Sequence, residues 1–551
     1  MEPLKIIPLG GLGEFGLNMM LVEYGDSAIA IDCGLMFPGA DLLGIDLVIP
    51  DIGYLLENRN KLKAIVLTHA HEDHVGALPY IRRHLDVPVF GTRLTLGLLK
   101  NRLQEHDLDD TTDIREVTAG QPWEIAPFRL EGIRVTHSLM DCLALAIETP
   151  IGTVIHTGDF KIDNTPVEGE MFDFQRFAAY GEKGVLLLLS DSTNIERSGY
   201  TPSEREVGKN LDEIFQESSG KVLVSTFSSS IPRIQQVIDI SERYGRRVVL
   251  SGRSMIRNSQ VASELGYLRL PPGFMTENER WHDFASDRLT FLTTGSQGEP
   301  LSVLHRVALD DHRSIKIQPG DTVILSSKFI PGNEKTISNL INHLYRRGAE
   351  VHYEKVSEIH VSGHASQEEL KTMLQLTRPR YFVPIHGEYR HLVRHRRLAQ
   401  EVGVPEENCF ILEDGDVLEL NANGAKKVTP VQVGRVFVDG RGVGDVGDVV
   451  IRDRRHLSED GMILAVMAIH QQSGELVAGP DLISHGFMRD EEGEEILEQA
   501  RKMVLETLSG MNRETRTDPA ELQEEVRKAL RRYFKKRFER HPVVIPYIIE
   551  T

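Results

Sequence analysis

The stretch THAHEDH, residues 68–74, sets His69, His71, Asp73 and His74 directly behind an apolar run, KAIVL. The run reads as a buried strand, and THAHEDH reads as a polar loop entering a helix. A loop can turn three imidazoles and a carboxylate toward one point, so the fold must end a core strand there. Imidazole and carboxylate suit zinc, and also manganese or iron; with no sulfur ligand, zinc is favoured. The bland alternative is a solvated polar loop. It leaves the apolar flanks and the ligand-type residues downstream unexplained.

Those residues are His137 in RVTHS, Asp159 in IHTGDF and His386 in PIHGE, each behind a strand-like apolar run. A lone histidine at such a place is usually structural. Together, however, the set completes two metal sites. His69, His71 and His137 would hold one divalent ion, Asp73, His74 and His386 a second, with Asp159 bridging. Two ions about 3.5–4 Å apart clamp a hydroxide and steady both attacking and leaving oxygens. His156, beside the bridge in sequence, reads as a support behind the ligands or as structural.

A competing motif stands at the N-terminus. GLGEFG, Gly11 to Gly16, follows an apolar run and precedes Asp32 by about 20 residues, as a dinucleotide fold requires. That fold also needs a helix to begin at the glycines. Here NMMLVEY, a short turn and SAIAID read as a hairpin instead. The glycines then form a tight loop near the metal cleft, and Asp32 is not a ribose ligand.

The chain has 551 residues, enough for about three domains. Its three cysteines, Cys33, Cys142 and Cys409, form no C-x-x-C pair, which argues against disulfides or a thiolate zinc site. That usage suits a reducing cytosol, and the N-terminus lacks the pattern of a secretory signal. No stretch approaches 18 apolar residues, so neither a membrane span nor a membrane partner is expected, and the location is read as cytoplasmic. The net charge of −19 disfavours a general nucleic-acid binder without excluding a basic channel inside an acidic shell.

His386 lies 386 − 159 = 227 positions beyond Asp159, far too many for a loop in a compact domain. A domain is therefore inserted. Within residues 205–355, strands alternate with helical patterns and polar loops, predicting a parallel sheet. The metal pattern is the metallo-β-lactamase signature, and the insertion resembles the β-CASP nucleases of that superfamily. That Asp32 supports the THAHEDH loop is what the superfamily resemblance implies. Asp191 in LSDST, His364 in VSGHAS and His386 match the group's markers. GGLGEFGLNM, THAHEDHVGALP, HTGDFKID, IHVSGHAS and PIHGEYRHL narrow the resemblance to the bacterial ribonuclease J family, over essentially the whole chain.

The resemblance implies an α/β fold: a metallo-β-lactamase αββα sandwich with an inserted β-CASP α/β domain and a small C-terminal α+β domain. The expected limits are 1–204 and 356–439 for the sandwich, 205–355 for the insertion, 440–461 for a linker and 462–551 for the C-terminal domain. It implies a metal-dependent ribonuclease of RNA maturation and decay, including rRNA processing and mRNA decay. Such an enzyme acts on single-stranded RNA both internally and 5′-to-3′ from a monophosphorylated end. Two divalent ions per subunit are expected, Zn2+ first and Mn2+ second. Asp73, His364 and Asp191 are the candidate catalytic residues. His364 would donate a proton or clamp a phosphate, and Asp73 would orient the water. His360, Val361, Ser362, Gly363 and His364 would hold phosphates, as would Ser228, Ser229 and Ser230, which could equally cap a helix. Arg233 and Arg253 are further candidate phosphate contacts, set against ordinary solvated arginines. Asp46 and Asp439 are candidates for a separate structural cation, or else simply turn acids. The family's C-terminal domain implies a homodimer, or a tetramer, and RNA-decay partner proteins. The basic helix EEVRKALRRYFKKRFERHP would bury Val526, Ala529, Leu530, Tyr533, Phe534 and Phe538, leaving its charges solvated or facing RNA. The competing functions are a β-CASP nuclease acting on DNA, a small-molecule metallo-hydrolase and a non-catalytic RNA scaffold.

Overall fold

Period-2 burial builds the sandwich. In the strand Cys142–Thr149, Leu143, Leu145 and Ile147 face one core, while Cys142, Ala144 and Ala146 face another. The computed structural model describes all residues except 1, 40, 168, 300, 330–332, 355, 441 and 489; of residues 490–492 it describes the backbone. The chain forms two compact units, residues 1–37 with 47–436, and residues 38–46 with 437–551.

In the first unit an eight-stranded and a six-stranded sheet share an apolar core. Ile6, Val22, Ile29 and Val66 come from one sheet, and Leu130, Leu145, Leu187 and Val383 from the other. Met19–Tyr24 and Ser27–Ile31 pair antiparallel, which makes the expected hairpin. No helix starts at the GLGEFG glycines. Leu12–Gly13 instead forms a short parallel pairing with Gly387–Glu388, next to His386.

The sandwich delivers its ligands from strand ends. Gly152–His156, Val185–Asp191 and Tyr381–Ile385 run parallel side by side. Asp159, Asp191 and His386 therefore emerge together at their carboxyl ends, where such sheets place their chemistry. From the facing sheet, Leu62–Val66 leads into the THAHEDH loop and Ser27–Ile31 into Asp32.

A third, six-stranded sheet lies between residues 222 and 352. Its order is Met275–Thr276, Arg247–Ser251, Leu289–Thr293, Val222–Ser225, Thr322–Leu325 and Glu350–His352, all parallel. Val222–Ser225 is buried throughout, as expected for a central strand covered on both faces.

In the second unit, Met462–Ile469 lies between Leu476–His485, antiparallel, and Val543–Glu550, parallel. Helices Asp490–Gly510 and Pro519–Phe538 cover one face. Of the predicted helix face, Val526, Leu530 and Phe534 are buried, Tyr533 and Phe538 pack at its margin, and Ala529 is half-buried. Residues 440–461, read from the sequence as a linker, contain the helix Asp448–Asp460. The Gly/Asp richness ends at Asp448, and VVIRDRRHLSED holds no glycine or proline to interrupt a helix. Among the described residues no helix is long and apolar enough to cross a membrane.

Candidate metal centre and active site

The seven predicted ligands converge. One ligand atom from each of His69, His71, His137 and Asp159 lies within 4.8 Å of the others, and the same holds for Asp73, His74, Asp159 and His386. Asp159 belongs to both groups. His71 Nδ1 lies 3.0 Å from His69 Nε2 and 3.1 Å from His137 Nε2. Asp159 Oδ2 is 3.7 Å from His69 Nε2, 3.2 Å from His74 Nε2 and 3.6 Å from His386 Nε2. Asp73 Oδ2 is 3.4 Å from His386 Nε2.

The other ring nitrogens orient these atoms. Thr68 donates its hydroxyl proton to Asp32, at 2.9 Å from Oδ2, and so accepts from His69 Nδ1 at 3.0 Å. His137 Nδ1–H donates to the Gly363 carbonyl at 2.7 Å, and His74 Nδ1–H to Asp32 Oδ2 at 2.7 Å. Nε2 of His69 and of His137 thus present lone pairs to a common point. Both face His71 Nδ1, at 3.0 and 3.1 Å, and one ring proton there can serve only one of them, whereas a cation would serve all three. Tetrahedral coordination at about 2.0–2.1 Å puts ligand atoms roughly 3.3 Å apart, so the residues fit a zinc-sized divalent ion.

The charges agree with this reading. Burial holds His69 and His137 well below the usual imidazole value and pushes His71 down to about 4, so all three are neutral, as metal ligation requires. At His74 burial also opposes the charge, but Asp159, Asp73 and Asp32 outweigh it and hold the ring well above its usual value. At His386 burial is likewise overcome, by Asp159, Asp191 and Asp73, which push it up to about 10. Burial works against the charge of Asp159, yet His386 and His74 keep it below the carboxylate range. The carboxylates that raise His74 and His386 gather negative charge at the centre, which a bound cation would offset.

Two backbone features shape the centre. Asp32 and His386 have φ of 62° and 55°, unusual for residues with a side chain. Gly34 and Gly363 permit close approach. A Cβ at Gly34 would lie 1.6 Å from the Asp73 carbonyl, and one at Gly363 would lie 2.6 Å from the His137 ring.

Beside the ligands, His364 Nδ1 meets Asp191 Oδ2 at 2.8 Å and lies 3.9 Å from Asp159 Oδ2. Burial opposes the charge of Asp191, and His364 overcomes it, holding Asp191 below the carboxylate range. The His364 carbonyl accepts from Asn194 Nδ2 and Thr201 Oγ1, at 2.9 and 2.8 Å. Ser362 Oγ accepts from the His364 amide at 3.2 Å, and His360 and Val361 are half-buried on the same loop.

Other candidates have local partners. Ser228 Oγ accepts from Asn258 Nδ2 at 3.1 Å, and Ser229 is half-buried. Ser230 occupies the cap position of the helix Ile231–Arg243, without a side-chain cap bond. Arg253 is exposed at the start of its helix. Arg233, a candidate phosphate contact from the sequence, is only 2% exposed and pairs with Glu204. That correction follows from packing that the helix pattern alone does not show. In the second unit, Asp46 accepts from the Gly440 amide at 2.7 Å, and Asp439 accepts from Arg454 at 2.5 Å. His156 accepts from the Gly158 amide at 3.1 Å, and burial pushes it down to about 4.

Sequence reasoning missed three polar supports. Thr193 Oγ1 lies 2.6 Å from His386 Nδ1. Asn18 Nδ2 donates to the Asp73 carbonyl at 3.0 Å. Thr68 joins Asp32 to His69. Each stands within or beside a quoted motif, the only signal available in one chain.

This arrangement defines a metallo-hydrolase of the metallo-β-lactamase fold with an inserted domain. Residues 12–189 match the metallo-β-lactamase superfamily, 219–344 the ribonuclease J β-CASP domain, 348–412 the zinc-dependent metallo-hydrolase RNA specificity domain, and 449–551 the ribonuclease J C-terminal domain. Ribonuclease J of Thermus thermophilus is 43% identical, covering 100% of this chain and 96% of its own. Ribonuclease J of Helicobacter pylori is 41% identical over 98% of this chain and 79% of its own, and ribonuclease J2 of Bacillus subtilis is 38% identical over 100% and 99%. A crystal structure of a protein of unknown function from Enterococcus faecalis shares the fold, with a TM-score of 0.53 at 18% identity, covering 76% of this chain and 100% of that one. The chain belongs to the ribonuclease J family, and is a metal-dependent ribonuclease that binds RNA.

Proposed function

We propose that the chain hydrolyses single-stranded RNA both internally and 5′-to-3′ from a monophosphorylated end, using two divalent ions, Zn2+ by preference. The Asp191–His364 pair beside the bridging Asp159 carries this reading, because it sets a proton donor next to the ligand cluster. When bound, divalent ions neutralise phosphate charge and lower the pKa of water.

His364 donates a proton to the leaving oxygen of the scissile phosphodiester. Asp191 accepts from its Nδ1–H, which fixes the ring and leaves Nε2 as the nitrogen that delivers the proton. Asp73 orients the attacking water. Its side chain is 35% accessible, against 3% for Asp159, so its oxygens can reach substrate water while contacting a ligand group. The His360–Gly363 loop holds substrate phosphates through its amides, a mode that needs no net positive charge. Asp32, Thr68 and Thr193 fix the imidazoles and do not touch substrate.

A second copy of the chain is the proposed partner of the C-terminal sheet. Opposite its helices, Ile545, Tyr547, Ile549 and Ile483 are 41–58% exposed around Leu464 and Val466. A contiguous apolar face of this kind marks an association surface.

The test is end-group analysis. Purified chain is incubated with RNA bearing a 5′-monophosphate, 5′-triphosphate or 5′-hydroxyl, and with DNA of the same sequence, alongside a metal assay. Release of 5′-mononucleotides from monophosphorylated RNA, internal cuts in end-blocked RNA and about two ions per chain are expected. Intact RNA with bound metal would sink the proposal, as would unchanged cleavage by His74→Ala.

A further inference from the structure

Arg233 lies in the first turn of the helix Ile231–Arg243, where a surface arginine would reach solvent, yet its guanidinium is enclosed. Nε donates to Glu204 Oε1 at 2.6 Å, and Nη2 pairs with the same carboxylate. Nη1 donates to Ser326 Oγ and, at 2.9 Å, to the carbonyl of Ile359. Ser326 Oγ donates to that same carbonyl at 2.7 Å. A carbonyl oxygen has two lone pairs, so this one is saturated by the inserted domain and its direction is set. Ile359 is the residue immediately before His360.

The far end of the loop is held from the sandwich. Glu369 accepts from the amides of Ile162 at 2.7 Å, Thr201 at 2.7 Å and Ser366 at 2.8 Å. Glu204 is itself tied to that side, since its amide donates to Asp163 Oδ2 at 3.1 Å. Asp163 stands four residues after Asp159. The loop from His360 to His364 therefore spans two anchors, one from each part of the chain, with the Gly363 carbonyl on His137 between them.

We infer that Arg233, with Ser326 beside it, is a positioning residue. The two fix the start of the His360–Gly363 loop through the Ile359 carbonyl, so that the inserted domain sets how tightly a substrate phosphate is held. The inference rests on the proposed function for what the loop holds. Its structural half, that Arg233 and Ser326 order the loop, is measurable without RNA.

The test uses the full chain with metal. Ser326→Ala removes one donor and leaves the Arg233–Glu204 pair. Arg233→Lys keeps a cation against Glu204 but loses the fork. Arg233→Met with Glu204→Gln removes both charges together, so no buried charge is left alone. Measured are KM and kcat on a 5′-monophosphorylated oligoribonucleotide, hydrolysis of bis(p-nitrophenyl) phosphate, bound metal, and hydrogen exchange of residues 358–366. For Ser326→Ala, KM should rise about three- to tenfold, the effect of one lost hydrogen bond, with kcat within about twofold. Both arginine variants should raise KM further. Loop amides should exchange faster, while metal content and hydrolysis of the small diester stay at the parental level. Unchanged KM and exchange in all variants would overturn the inference. So would parallel losses of metal and small-diester hydrolysis, which indicate a merely structural role. A parent that leaves RNA intact would refute the proposed function instead, and loop exchange would still decide whether Arg233 and Ser326 order the segment.

Discussion

Asp32 Oδ2 stands 2.7 Å from His74 Nδ1, while Oδ1 accepts from the Thr68 amide at 2.8 Å. One buried carboxylate thus ties the first residue of the THAHEDH loop to the last, and it does so from a backbone with φ of 62°. By taking Nδ1, it decides which nitrogen of His74 faces the other ligand candidates.

Removing that tie should weaken metal binding before it weakens the fold. For Asp32→Ala, metal affinity should fall about 10- to 100-fold, as when a carboxylate behind a ligating histidine is lost. Competition with a chromogenic chelator measures it. Parental affinity would mean that the loop backbone alone orients His74.

His364→Ala should lower RNA cleavage about 10²- to 10⁴-fold, the range of one general acid or base, with metal content retained. Asp191→Asn should follow in the same direction. Single-turnover rates beside metal analysis check this. A variant that loses its metal would instead make His364 a ligand.

Gly363→Ala places a methyl group 2.6 Å from the His137 ring, against backbone that is tied at both ends. Overpacking of this kind costs about 1–3 kcal/mol. The expected result is a lower melting temperature with weakened metal binding. Gly120→Ala, with open space around its Cβ but φ of 77°, serves as a comparison and should keep its metal.

Asp414 carries a pH signature away from the metal. Burial pushes its carboxyl up to about 7, against the pull of the Leu12 amide, which donates to it at 3.0 Å. A folded-state value above the unfolded one means that the native state binds the proton more tightly. Its contribution is full below about pH 4 and is lost as pH rises through about 7. Melting temperatures from pH 5 to 8.5 should therefore fall more steeply for the parent than for Asp414→Asn. Equal slopes would contradict the assignment.

Chelation should destabilise the first unit. His74, His386, Asp73 and Asp159 are packed together, and an ion that binds only the folded state adds to its stability. Thermal melts with and without a strong chelator should differ, and His69→Ala should shrink the difference.

Much of the site was legible because its ligands lie in short loops behind apolar runs. A strand end is visible in sequence, and a histidine immediately after it can point in few directions. GLGEFG was legible as a loop for the same reason, since the hairpin behind it left no helix for a nucleotide. Thr193, Asn18 and Ser326 were not. Each acts through side-chain hydrogen bonds to partners tens to hundreds of positions away, and a single hydroxyl or amide has no pattern. Arg233 misled, because amphipathic spacing cannot tell a buried guanidinium with a carboxylate partner from an exposed one. The helix Asp448–Asp460 escaped because the glycines before it dominate the composition of its neighbourhood.

The sequence by itself determined the ligand types, the need for an inserted domain and the family, since these depend on residue identity and spacing. Tertiary structure alone decided which ring nitrogen of each histidine faces the other ligand candidates, and that two parts of the chain hold the His360–His364 loop from opposite ends. These depend on contacts between residues hundreds of positions apart, and the distances that set them exist only once the sheets have packed.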